Sequence, residues 1–166
     1  GPALTVSAAS ASAAAAIALA AEQLLLGKAD VALAGGAEAP LHPVVLAQLQ
    51  AAGVLGQAES AEQICRPFDL NRNGTVLGEG AAFLVIETAA HAEKRGATVL
   101  ARLSGWSIGT EGGERTGISD DSASLVRVMQ QALARAGLRP EAIGYVNAHG
   151  TGTVVNDRQE TIACQR

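Results

Sequence analysis

Apolar positions along the 166-residue chain change period repeatedly, from short continuous or alternating runs to stretches with apolar residues three and four apart, which is the α/β pattern. The pattern predicts a short strand over 3–6, then an Ala-rich helix over 12–26 closed by Gly27 as a C-terminal cap. A second strand over 30–34 is expected to end at Gly35-Gly36, and a helix follows over 43–52. Residues 81–87 read as an apolar strand, 89–95 as a helix backed by Gly96, and 99–108 as a long strand containing the sole tryptophan, Trp106. Asp120 or Asp121 is placed to cap a helix reaching Ala136, with Leu125, Val128, Met129, Leu133 and Ala136 on one face. Met129 in that stripe reads as core. Residues 143–148 form the next expected strand, and 156–164 the last helix. No linker, low-complexity segment or true repeat divides residues 1–166, which read as one partial domain without an internal boundary.

Composition narrows what this framework can do. Lys and Arg number 12 against 16 Asp and Glu, a net charge of −4 with no basic cluster, which argues against a nucleic-acid partner. Hydrophobic residues make up 48% but aromatics only 2%, so the core is expected to pack through Ala, Val, Leu and Ile. The apolar stretch 13–26 is interrupted by Glu22 and Gln23 and is shorter than the ~20 residues that span a bilayer. No signal-like N-terminus appears, and Cys65 and Cys164 have no metal-ligand spacing, so no metal site and a cytoplasmic, reduced protein are expected. His42 before Pro43, and His91 beside Glu93 and Lys94, read as surface residues.

Two places carry candidate chemistry. In Asn147-Ala148-His149-Gly150-Thr151-Gly152-Thr153 an imidazole follows an apolar run and precedes two glycines, which let the backbone turn sharply and approach a ligand. A histidine at a strand end is a candidate acid, base or oxyanion donor, and a structural histidine is the plainer alternative. At the other place, residues 1–6 lead through Ser7-Ala8-Ala9 to Ser10 just before the first helix. A side chain at such an elbow faces free N–H groups and a partial positive charge. The plainer alternative makes Ser10 and Ser12 N-caps. The glycine-rich stretch 74–80 lacks the Gly-Lys-Ser/Thr ending of a phosphate loop and leads into a strand, which argues against a nucleotide site. Asp157 and Glu160 share one face of the last helix, where acidic residues also suit a first turn.

Several blocks together resemble the β-ketoacyl synthases, the condensing enzymes of fatty-acid and polyketide synthesis. They are Gly1-Pro2-x-Leu4-Thr5-Val6, the Ala34-Gly35-Gly36 turn, Arg66-Pro67-Phe68-Asp69-x-x-Arg72-x-Gly74-x-Val76-x-Gly78-Glu79-Gly80-Ala81, Leu84-Val85-Ile86-Glu87, and the 147–153 block followed by Asp157-x-x-Glu160. The resemblance implies a layered αβαβα thiolase-like fold, of which this chain is an internal portion from the nucleophile elbow through the His-Gly-Thr-Gly-Thr loop. It implies an acyltransferase of the condensing type, working on acyl and malonyl thioesters borne by the phosphopantetheine arm of an acyl carrier protein, with no other cofactor. It further implies that Ser10 stands where the family carries its catalytic cysteine, and that His149 matches the first of two family histidines, which stabilise the thioester carbonyl and the enolate. Thr151 and Thr153 fall at substrate-binding positions, and Glu160, with Asp157, at positions that organise the loop. Asn73 and Thr75 stand where the family commonly has Asp and Phe. A cysteine thiol is readily drawn down to a thiolate, whereas a serine hydroxyl needs a general base. Three readings of Ser10 follow: a serine nucleophile, a silent or decarboxylating partner subunit akin to a chain-length factor, or an engineered inactivating replacement. The resemblance also implies a homodimer or a heterodimer with another ketosynthase-like chain. The family's later Lys and Gly-His motif has no counterpart here, so further segments on both sides of this one are expected.

Overall fold

The computed structural model of the chain describes residues 1–110 and 122–166. They gather into two compact units, each made from two separated stretches: Gly1–Ala39 with Glu79–Ile108, and Pro40–Gly78 with Gly109–Arg166.

The first unit packs a helix on a two-stranded sheet. Helix α1 (Ser12–Leu25) buries Ala15, Ala18, Ala21 and Leu24, a stripe at every third residue on one face. Small side chains let it lie close to the sheet, since a Cβ added at Gly36 would sit 3.0 Å from that of Ala13. The helix stops in a Schellman arrangement: Gly27, at φ 66°, donates to the Leu24 carbonyl and Lys28 to that of Gln23, each at 3.0 Å. Strand β1 (Val31–Glu38) then pairs antiparallel with β2 (Gly80–Glu87), Val31 facing Glu87 and Glu38 facing Gly80. The expected end of β1 at Gly35-Gly36 is corrected, because the strand runs through both. A Cβ on Gly35 would lie 2.1 Å from the Ala82 carbonyl oxygen and 2.7 Å from Phe83 Cα, so glycine here permits close backbone approach rather than a turn. After β2, Thr88 Oγ1 accepts from the His91 N–H at 3.2 Å and caps helix α3 (Ala89–Lys94).

Among the described residues, the second unit contains three helices of at least nine residues: α2 (Pro43–Ala51), α4 (Ala123–Ala136) and α5 (Val154–Gln165). His42 is exposed, as expected of a surface residue, and also caps α2, its Nδ1 accepting from the Val44 N–H at 3.3 Å. The stripe expected on α4 is half-buried along its length, and Gly137 closes the helix at φ 66°. Asp120 and Asp121 lie outside the described residues. Helix α5 begins two residues before the expected start.

Three expected strands, 3–6, 99–108 and 143–148, belong to no ladder among the described residues. An apolar run marks burial potential, but a strand also needs a partner for its N–H and C=O groups. These runs stay largely open, with Leu100 94% and Tyr145 80% exposed. Trp106 does find a partner, donating from Nε1 to Glu22 Oε1 on α1 at 3.1 Å.

Candidate active site

The loop bearing His149 is held from below by two carboxylates on α5. Glu160 accepts the His149 N–H at 2.6 Å through Oε1 and the Gly150 N–H at 2.7 Å through Oε2. Asp157 accepts the Gly152 N–H at 3.2 Å through Oδ1 and the Phe68 N–H at 2.7 Å through Oδ2. Both carboxylates are buried, Asp157 at 1% exposure. Spacing of three residues puts them on one face of α5, where four backbone donors from two loops converge on their oxygens. Glu160 lies seven residues into the helix, so a first-turn dipole role applies only to Asp157.

The glycines of this loop have geometric reasons. Gly150 and Gly152 have φ 53° and 78°, a backbone region costly for other residues. A Cβ at Gly152 would approach the Gly74 carbonyl oxygen to 2.6 Å, and one at Gly150 would meet the Phe68 ring at 3.3 Å. The Gly74 N–H donates to the Gly152 carbonyl at 3.0 Å, so the start of the glycine-rich stretch braces the histidine loop. Phe68 itself has φ 63°, a strained state of roughly 1–3 kcal/mol for a bulky residue, held by the bond to Asp157.

Sequence reasoning gave Arg72 no role, yet it ties the two loops together. Its Nε is 3.6 Å from Asp157 Oδ2 and donates to the Thr153 carbonyl at 3.3 Å. Nη2 donates to the Val154 carbonyl at 2.9 Å and Nη1 to that of Asp69 at 2.8 Å. A cation at the positive end of α5 is unfavourable alone, and Asp157 offsets it. Asn156 was also missed; its buried amide donates to Asp157 Oδ1 at 3.1 Å and Glu160 Oε2 at 3.0 Å. Asn73 grips the backbone of Gln57, accepting its N–H at 3.1 Å and donating to its carbonyl at 2.7 Å, a pair of bonds that Asp could not duplicate. Thr151 and Thr153 share a hydroxyl–hydroxyl bond of 2.9 Å, and both are half-buried beside His149.

Ser10 belongs to the first unit and is exposed at the entry to α1. The N-cap alternative for the elbow serines is corrected: Ala11 occupies the cap position without a side-chain bond, and Ser12 is the first helical residue. Ser12 Oγ accepts the Ala8 N–H at 2.9 Å and donates to the Ala9 carbonyl at 2.6 Å. Ala9 has φ 48°, so the residue before Ser10 is a strained elbow that this hydroxyl braces. Ser10 itself makes no side-chain hydrogen bond within its unit. Thus His149, Thr151, Thr153, Asp157 and Glu160 come together in the second unit, while Ser10 stands at the helix entry of the first.

Cys65 and Cys164 are free thiols on the surface. His91 lies on α3 with Glu93 and Lys94 as expected but is half-buried rather than on the surface, its Nδ1 2.6 Å from Glu87 Oε2, and Arg95 bonds the same carboxylate at 2.8 and 2.5 Å. The bonds from Arg95, then from His91, hold the Glu87 carboxyl down at about 2. Among the described residues no group of three or more His, Cys, Asp or Glu side chains could hold a metal ion, and no helix is long and apolar enough to cross a membrane.

Comparison with known proteins fits this geometry. Residues 1–92 match the β-ketoacyl synthase N-terminal domain and residues 100–166 the C-terminal domain of the same family. Nodulation protein E of Rhizobium leguminosarum bv. trifolii is 45% identical over the whole chain, and putative polyketide β-ketoacyl synthase 1 of Streptomyces halstedii is 40% identical. In both cases the chain spans 40% of the relative's length. A β-ketoacyl synthase from Burkholderia phymatum superposes with a TM-score of 0.86 at 40% identity, over 95% of this chain and 38% of that one. A type II polyketide ketosynthase bound to a hexaketide, in complex with its acyl carrier protein, gives a TM-score of 0.88 at 34% identity, over 92% of this chain and 38% of that one. The helices and antiparallel strand pair are therefore part of the thiolase-like fold of ketosynthases, and the chain belongs to the β-ketoacyl synthase family.

Proposed function

We propose that this chain is the part of a condensing synthase that carries its nucleophile position, Ser10, and its first site histidine, His149, and that the complete protein acts on acyl and malonyl thioesters of an acyl carrier protein in fatty-acid or polyketide synthesis. The observation that carries the reading is the fixing of His149 and Gly150 by Glu160 at 2.6 and 2.7 Å, in a chain that matches both synthase domains in order. A backbone held that firmly sets the imidazole to donate a hydrogen bond to a thioester carbonyl. When a malonyl thioester loses its carboxylate as CO2, the electron pair passes to the carbonyl oxygen as an enolate, and that donor stabilises the charge where it develops. Thr151 and Thr153 offer hydroxyls to the phosphopantetheine arm of the carrier, the only prosthetic group this reading requires. The ketosynthase neighbour complexed with its acyl carrier protein supports the choice of partner. As in the family resemblance, the complete protein is a cytoplasmic dimer, with itself or with a second ketosynthase-like chain.

Ser10 decides between two forms of this activity. In the first, its hydroxyl is acylated with an imidazole as base. In the second, the protein is a decarboxylating or silent partner of an active synthase, a reading supported by the serine itself, whose hydroxyl is far harder to ionise than a thiol. Incubating the full-length protein with an acyl thioester and measuring its intact mass separates them. An acyl adduct that vanishes in Ser10→Ala establishes the first; no adduct on the wild type sinks it.

A further inference from the structure

Asn156 sits between the two carboxylates that hold the histidine loop and is itself buried, at 6% exposure. Its one amide nitrogen donates to both, to Asp157 Oδ1 at 3.1 Å and to Glu160 Oε2 at 3.0 Å. Those same two oxygens accept the N–H groups of Gly152 and Gly150. The two acids differ in their surroundings: Asp157 faces the Arg72 guanidinium, whereas Glu160 forms no ion pair among the described residues and is met by three N–H donors. Two buried carboxylates this close repel, and a donor shared between them holds their oxygens in register without adding charge.

We propose that Asn156 is a positioning residue for His149: by bridging Asp157 and Glu160 it fixes the carboxylate that sets the His149 and Gly150 backbone, and so the aim of the imidazole. This rests on the reading of His149 as the stabiliser of a thioester enolate. The essential property of Asn156 is a neutral donor in a site built for two anions. Asn156→Ala deletes the donor, while Asn156→Asp is nearly isosteric but adds a third negative charge. That introduced carboxyl, crowded by two others, takes up a proton readily as pH falls, and its O–H then restores one of the two lost bonds.

The test uses the full-length synthase and a malonyl thioester, with decarboxylation followed from about pH 8 to about pH 5.5, each variant normalised to wild type at the same pH. We expect kcat to fall on the order of tenfold in Asn156→Ala with KM unchanged, because the substrate's binding contacts are untouched while the developing charge is not. Asn156→Asp is equally slow at the alkaline end and recovers toward wild type at the acid end, with Asn156→Ala flat throughout. A loss of fold would produce no such recovery within one protein sample. Equal pH profiles for the two variants, or wild-type kcat in Asn156→Ala, overturn the proposal. In the same proteins, labelled with 15N-histidine, the His149 amide proton should move upfield in Asn156→Ala as its bond to Glu160 lengthens; an unmoved resonance also overturns it. The resonance reads the positioning even if the wild type proves unable to decarboxylate, an outcome that would count against the functional reading alone.

Discussion

Glu160 is the residue on which the histidine loop depends most directly, because its two oxygens separately accept adjacent backbone N–H groups. In Glu160→Gln one of those oxygens becomes an amide that turns a donor toward a donor. A buried donor left without its partner costs about 1–3 kcal/mol, so the full-length variant should unfold at correspondingly lower denaturant. An unchanged midpoint would mean that the loop is held by other contacts. The acidic pair was visible in the sequence as an i, i+3 spacing, and its link to the loop was implied by family resemblance. Arg72 and Asn156 were not visible in this sense. Arg72 reaches Thr153 and Val154 across some 80 residues of chain, and nothing local marks a guanidinium that will fold onto a distant helix start. Asn156 reads as an ordinary polar residue near a helix N-terminus until both carboxylates are in place around it.

Among the elements, the helices and the paired strands β1 and β2 were legible in the sequence and three further runs were misread as strands, for one physical reason. A helix satisfies its hydrogen bonds within its own segment, and its ends carry local marks such as Gly27, Thr88 and Gly137. A strand is completed only by a partner, so the runs at 3–6, 99–108 and 143–148 could not announce that they lack one here. Gly35 shows the same limit: two adjacent glycines read locally as a stop, whereas the β2 backbone makes glycine a requirement of pairing. Gly35→Ala should therefore weaken the β1–β2 pair by roughly 1–3 kcal/mol, the usual cost of forcing a methyl into occupied space. Thermal unfolding of the full-length variant measures it, and an unaltered melting temperature would contradict the close approach. The junction of β2 and α3 makes a prediction about pH. Glu87 has its folded value lowered from 4.5 to about 2 by Arg95 and His91, so its contribution to stability is present in full above 4.5 and lost as pH falls toward 2. The stability difference between wild type and Glu87→Gln should shrink through that window; a difference independent of pH would show that the charged contacts contribute nothing.

At the scale of the whole molecule, the described residues form two compact units: one presents an exposed hydroxyl at a helix entry, the other a histidine whose backbone is fixed by a buried acid. Under the proposed function, serine at the elbow offers no easily ionised thiol, and the histidine stabilises charge on a thioester oxygen, a role that needs no thiolate. The proposed function divides the labour between these two side chains. It is tested most directly by malonyl-thioester decarboxylation in the full-length protein, comparing Ser10→Ala with His149→Ala. Ser10→Ala should retain the wild-type rate within a few-fold, while His149→Ala should fall by about 100-fold or more, the scale of losing one oxyanion donor. Undiminished decarboxylation in His149→Ala would contradict it.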